Sequence, residues 1–208
     1  MTTSISRADS GIKMKRKTLP EVDEYAMCDY DLKKDEVAAF TNEYVLGNWN
    51  FEDASAKIEY LKHRVGHLAY EYFPSGLDER MVLVARLMAL LYLIGESLVE
   101  LDLEDGEDYL GALDSAAKGY WLPDDNIPAV WMLCGTLDEM RAVDYLAVDD
   151  IWSTSLAHLS ANLVRRGRPQ HRHDSYRVPA SLRLGYSLVG ALEPFAIGHC
   201  LENDFSSP

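Results

Sequence analysis

The sequence predicts an all-α fold, a helical bundle built around one enclosed helix, and two observations carry that prediction. Residues 81 to 94, MVLVARLMALLYLI, are apolar on every helical face except at Arg86, the pattern of a helix surrounded by others rather than laid on a surface. From Asp31 onward the apolar residues recur at helical steps nearly to the end of the chain. The 208 residues, 48% of them apolar, suffice for one domain with a real core.

Residues 1 to 30 read as a flexible polar tail, 31 to 202 as the helical domain and 203 to 208 as a second short tail. The basic cluster Lys13, Lys15, Arg16 and Lys17 fits an unstructured stretch, a nuclear-targeting signal or a lid over an anionic ligand, and nothing nearby decides among them. Val37, Phe40, Tyr44 and Val45 share a stripe on a first helix that Gly47 and Asn48 end. A second helix is expected from about 53 to 72, with Ile58, Leu61, Val65, Leu68 and Tyr72 as its apolar wall and Phe73-Pro74-Ser75-Gly76 as its stop. His63, His67 and Glu71 follow at four-residue steps on it, the spacing of metal ligands, although the wet side of an amphipathic helix explains them without a metal.

Asp78 is the expected cap of the central helix, whose acids come only at its end. Glu96 and Glu100 are spaced one helical turn apart, and Asp102, Glu104, Asp105, Glu107 and Asp108 follow at once. A shorter helix then runs from Tyr109 to Lys118, and Asp124-Asp125, bracketed by prolines, reads as turn chemistry. Another helix covers about 129 to 147, and Asp149-Asp150 is expected to cap one from 151 to 164. Arg165, Arg166, Arg168, Arg172 and Arg177, with His171 and His173, form a basic loop suited to gripping phosphate oxygens or a partner, and equally explained as solvated surface. The last helix spans about 180 to 201, with a kink near Ala191 ahead of Pro194.

Thirty-four acids against twenty bases give a net charge of -14, which argues against non-specific binding to nucleic acid or anionic membranes. An anionic substrate needs a local basic or metal-filled site to overcome that field. The apolar run at 81 to 94 falls short of the roughly 20 residues that span a bilayer. Cys28, Cys134 and Cys200 form no CxxC pair and read as reduced thiols, and the N-terminus carries no apolar signal region, so a cytoplasmic protein is expected.

The stretch LLYLIGESLVELDLEDGEDY resembles the aspartate-rich region of fungal class I terpene cyclases of secondary metabolism, in which a buried helix ends in an Asp-Asp-x-x-Glu type motif and a "DG" follows. Leu93 and Ile94 match the pair before the first aspartate, and Leu103 to Gly106 match the downstream end; in that register Gly95 takes the first aspartate's place and Glu96 the second's. The segment SLRLGYSLVGALEP is similar to the helix-break region of the same family. There Gly190 fits the glycine, Leu188 stands in the aspartate slot, and Arg183, two residues from the arginine slot at Gly185, is the candidate contact for a diphosphate. Asn203, Asp204 and Ser207 imitate the start of the family's second metal motif, a match read as coincidence because its glutamate falls past Pro208.

The resemblance implies an incomplete class I terpenoid synthase fold and a sesquiterpene cyclase. Glu96 and Glu100 would then hold Mg²⁺ over a prenyl diphosphate, farnesyl diphosphate first. Tyr92 and Phe73 are candidate cavity walls, with Trp131 and Trp152 behind them. Two alternatives stand beside this reading: an impaired or truncated pseudoenzyme, favoured by Gly95 and Leu188, and a helical interaction protein docking through the arginine loop.

Overall fold

The computed structural model describes residues 24 to 121, 126 to 166 and 185 to 198, with side-chain environments from Lys33 onward and none given for 165 and 166. Eight helices and no strand make up these residues: α1 (Glu24–Asn48), α2 (Ala54–Lys62), α3 (Val65–Tyr72), α4 (Asp78–Ser97), α5 (Leu103–Ala117), α6 (Pro128–Val143), α7 (Tyr145–Arg166) and α8 (Tyr186–Ile197). The enclosed helix is α4, as its composition requires. It packs against α1, α3, α6, α7 and α8, and thirteen of its twenty residues are buried.

Arg86, the one charge within the apolar run from 81 to 94, reaches the edge of the bundle, where its guanidinium donates to Glu139 of α6 at 2.9 Å and lies 4.6 Å from the centre of the Tyr44 ring. At the other end Asp78 does not cap the helix. Leu77 holds the cap position, and Asp78, as the first helical residue, accepts from the Tyr70 hydroxyl at 3.0 Å and pairs with Lys33 at 2.8 Å. Lys33, with help from Tyr70, keeps the Asp78 carboxyl below its ordinary value. A carboxyl lowered by folding stabilises the fold above its unfolded value and loses that contribution as pH falls through its folded one. Asp78→Asn is therefore expected to lower stability at pH 7 by about 0.5 kcal/mol, the scale of a half-exposed pair, and to make no difference near pH 2. Equal losses at both pH values in urea titrations would contradict the assignment.

Helical spacing placed one continuous helix over 53 to 72, and the chain instead breaks. Arg64 adopts a left-handed conformation (φ 51°), which separates α2 from α3 and changes the phase of the apolar face. The expected wall therefore fails at both ends: Ile58 is 54%, Leu61 41% and Tyr72 36% exposed, while Tyr60, Val65, Ala69 and Tyr70 are buried. The break frees α3 to lie against both α1 and α4. It also parts His63, which faces Glu59 on α2 (3.4 Å), from His67 and Glu71, which stay together on α3 and meet Asp35 (3.2 Å) and Lys34 (3.1 Å) of α1.

Four helix boundaries also move. α1 begins at Glu24 rather than at Asp31. α5 begins at Leu103, because the Asp102 carboxylate accepts from the Asp105 amide at 2.9 Å and caps it, so Glu104 and Asp105 become first-turn acids favoured by the helix dipole. The helix expected to reach 147 stops at Val143. Asp144, extended in the backbone, accepts from the Ala147 amide at 3.3 Å at the start of α7, while Asp149 and Asp150 lie inside that helix and cap nothing.

Arg80 ties these parts together: it donates to the Phe195 carbonyl at 2.9 Å, lies 3.8 Å from Asp144, and covers the Phe195 ring. Gly106, the glycine of the "DG", is buried where α5 meets α7, and a side chain there would meet Leu163 within 2.7 Å. Cys134 is a free, buried thiol that burial shifts toward its protonated form. Among the described residues no helix is long and apolar enough to cross a membrane.

Candidate active site

A cavity of about 430 Å³ opens between the α1–α2 connection, α2, the end of α4 and the start of α6. Four carboxylates line it: Glu52 in the connection, Glu59 on α2, Glu96 on α4 and Glu100 just beyond. Its rings are Trp49, Phe51, Tyr60 and Tyr92, with Tyr60 centred 5.8 Å from Phe51 and 6.2 Å from Tyr92. No lysine, arginine or histidine lines it among the described residues.

Glu96 belongs to the last turn of α4, which ends at Ser97 with Leu98 as cap, and the Val99 amide donates to the Glu96 carbonyl at 2.9 Å. Glu100 therefore lies past the helix rather than one turn farther along it, and the chain turns so that both glutamates face the cavity. Gly95, the position of the family's first aspartate, is about 100° round the helix from Glu96. It is buried and does not line the cavity.

Burial, followed by the fields of Glu96 and Glu59, pushes the Tyr92 hydroxyl well above its ordinary range, and burial together with Tyr92 does the same to Tyr60. Tyr60 is 2% exposed, and its hydroxyl has no hydrogen-bond partner among the described residues.

Phe73 does not line the cavity. As the residue that ends α3 it turns into the core beside Tyr72, 3% exposed, and packing explains it fully. Trp131 and Trp152 are also absent from this lining; Trp152 is buried and donates to Asp114 at 3.0 Å. Gly190 marks no break, because it lies within α8, exposed and with open space beside it, while the helix begins after Gly185. Pro194 does not end that helix, which continues to Ile197, and the carbonyl it leaves unbonded is that of the exposed Gly190. Leu188, in the aspartate slot, is 1% exposed core.

Arg183, the arginine loop beyond Arg166, Asp124-Asp125, the basic cluster at 13 to 17 and the residues from 203 onward lie outside the described residues. Spacing missed Glu52, Glu59, Trp49, Phe51 and Tyr60. A signal was present in the run Trp49-Asn50-Phe51-Glu52, two aromatics and an acid directly after a helix stop, where loop residues serve sites more often than cores.

Among the described residues no three histidines, cysteines or acids are grouped to hold a metal ion. Mg²⁺ takes one or two carboxylates and completes its shell with water and phosphate oxygens, and Glu96 and Glu100, which line the same cavity, are the residues that would hold it.

An enclosed helix that delivers carboxylates to an aromatic cavity inside an all-α bundle is the build of the class I terpene synthase fold, and this chain has that fold. In sequence it is similar to fungal aristolochene synthases. The enzyme of Aspergillus terreus is 29% identical over 165 residues, covering 79% of this chain and 51% of that one. The enzyme of Penicillium roqueforti is 29% identical over 161 residues, 77% of this chain and 47% of the relative. The crystal structure of aristolochene synthase from Penicillium roqueforti superposes with a TM-score of 0.70 at 26% identity, covering 83% of this chain and 59% of that one. The chain spans about half the length of these curated relatives. No protein-family model matches it. The resemblance read from the central helix is thus borne out, with its fold.

Proposed function

We propose that this chain is a cytoplasmic terpene cyclase-like protein that ionises a prenyl diphosphate, farnesyl diphosphate first, and cyclises the resulting allylic cation. The observation that carries the reading is the convergence of Glu96 and Glu100 on a cavity with aromatic walls at the end of α4. Those two carboxylates would hold Mg²⁺, which when bound neutralises charge on the departing diphosphate. Tyr92, Tyr60 and Leu93 supply the dry wall against which a prenyl chain folds, and the ring faces favour a cation where water is excluded. Arg183 is the proposed contact for the diphosphate itself.

A second reading, a chain with the cyclase shell and no ionising power, is favoured by one observation: Gly95 brings no carboxylate to the place of the first aspartate. The two are separated by incubation with Mg²⁺ and farnesyl diphosphate. Release of pyrophosphate together with a volatile hydrocarbon on gas chromatography supports the cyclase. Glu96→Gln is then expected to lower turnover by at least about 10-fold, since even outer partners of a metal site cost about 10- to 100-fold when removed. No product beside an active cyclase control assigns the chain to the second reading.

A further inference from the structure

The last turn of α8 is closed by the start of α4 as well as by its own chain. A helix end leaves its final carbonyls without partners inside the helix. Here the Phe195 carbonyl accepts from the Arg80 guanidinium at 2.9 Å, and the Ala196 carbonyl accepts from the Leu77 amide at 2.8 Å. Arg80 also lies 5.2 Å from the centre of the Phe195 ring and 3.8 Å from the Asp144 carboxylate, and the two charged side chains are only 11% and 10% exposed. A cation at a helix C-terminus is favoured by the dipole, the more so when partly buried. Gly198 ends the turn in a left-handed conformation (φ 75°), and a Cβ on it would lie 2.5 Å from the Leu77 Cδ1. At its other end α8 starts beside α7, where a Cβ on Gly185 would lie 3.8 Å from the His158 Nδ1, so it runs antiparallel to α7 and back toward Asp144. Its attachment is one-sided: Leu188, Leu192, Phe195 and Ala196 are buried, and it packs chiefly on α7 and α4. Elements with few buried apolar contacts open at lower cost than a core helix.

We propose that α8 is a strap that lifts from α4 and α7 while the rest of the bundle stays folded, and that Arg80 is its latch. Lifting breaks the bonds from Arg80 and Leu77 and uncovers the apolar face of Leu188, Leu192 and Phe195. The latch draws its counter-charge from Asp144, the residue that ends α6 and leads into α7, so the seat of α8 is coupled to the α6–α7 junction. The inference is independent of the cyclase reading. Arg80 is about 24 Å along α4 from Glu96, at the 1.5 Å rise of a helix, and lifting α8 involves neither metal nor diphosphate.

Native-state hydrogen exchange of the full chain, read by mass spectrometry, tests it. The amides of α8 are expected to exchange as a group, at least about 10-fold faster than those in the middle of α4. Arg80→Leu is expected to speed α8 by about 10- to 100-fold, the worth of a hydrogen bond to a charged group. Gly198→Ala, a milder change at the same seat, is expected to speed it about 5-fold or more, the cost of holding a side chain in the left-handed region; it decides the matter if Arg80→Leu does not fold. Gly66→Val separates lifting from global unfolding, because it loosens the crossing of α1 and α3, which stays formed while α8 is lifted. In that variant α8 is expected to exchange within about 2-fold of the unaltered chain. Exchange of α8 no faster than α4, no acceleration in Gly198→Ala, or as large an acceleration in Gly66→Val as in Gly198→Ala overturns the proposal.

Discussion

Leu87→Ala is expected to cost about 3 kcal/mol and to lower the melting temperature by roughly 6–12 °C, the largest loss from any single truncation considered for this chain. Leu87 is 0% exposed in the middle of α4, which five other helices touch. Deleting its isobutyl group removes apolar surface buried on all sides and leaves a hole that those helices cannot all close at once, because each is fixed by its other neighbours. The same change at Leu61, 41% exposed on α2, is expected to cost less than about 1 kcal/mol. Thermal melts by circular dichroism read both, and a shift under 2 °C for Leu87→Ala would mean that α4 is not the organising helix.

Gly66→Val is expected to destabilise by about 2–3 kcal/mol through overpacking. Gly66 is buried on α3 where that helix crosses α1, and a Cβ there would lie 3.0 Å from the Ala38 Cα and 3.3 Å from its carbonyl oxygen. Those are main-chain atoms, so relief requires the two helices to part, and the Lys34–Glu71 ion pair and the His67–Asp35 hydrogen bond that span them would stretch with them. Gly111→Ala on α5 provides the contrast: nothing lies within 4 Å of the added methyl, and better helix propensity is expected to stabilise by up to about 1 kcal/mol. Urea titrations giving the two substitutions the same sign would refute the close crossing of α1 and α3.

The candidate site shows where sequence reading reaches and where it stops. Glu96 and Tyr92 belong to one regular helix, so their common face follows from periodicity once the helix is recognised. Glu100 reaches the same cavity by a different route, through a chain reversal after Leu98 that spacing does not reveal. Glu59 and Tyr60 were hidden because an assumed continuous helix put Ile58 and Leu61 on the inner wall, and one left-handed residue, Arg64, rephased it. Phe73 looked like a cavity wall by its place in the chain, and the end of α3 turned it into the core instead.

The amino-acid sequence by itself determined the all-α class, the enclosure of α4 and the resemblance to fungal sesquiterpene cyclases, because a helix apolar all round and its local motif are properties of neighbouring residues. Tertiary structure alone decided that four glutamates from two helices and two connections converge on one hollow, that the metal-spaced histidines part company, and that Gly95 does not line the hollow. The reason is the reach of the forces involved: hydrogen bonds and periodic burial set a helix within a few residues. Where that helix ends, and which face it offers to another, is fixed only when distant helices compete for the same buried surface.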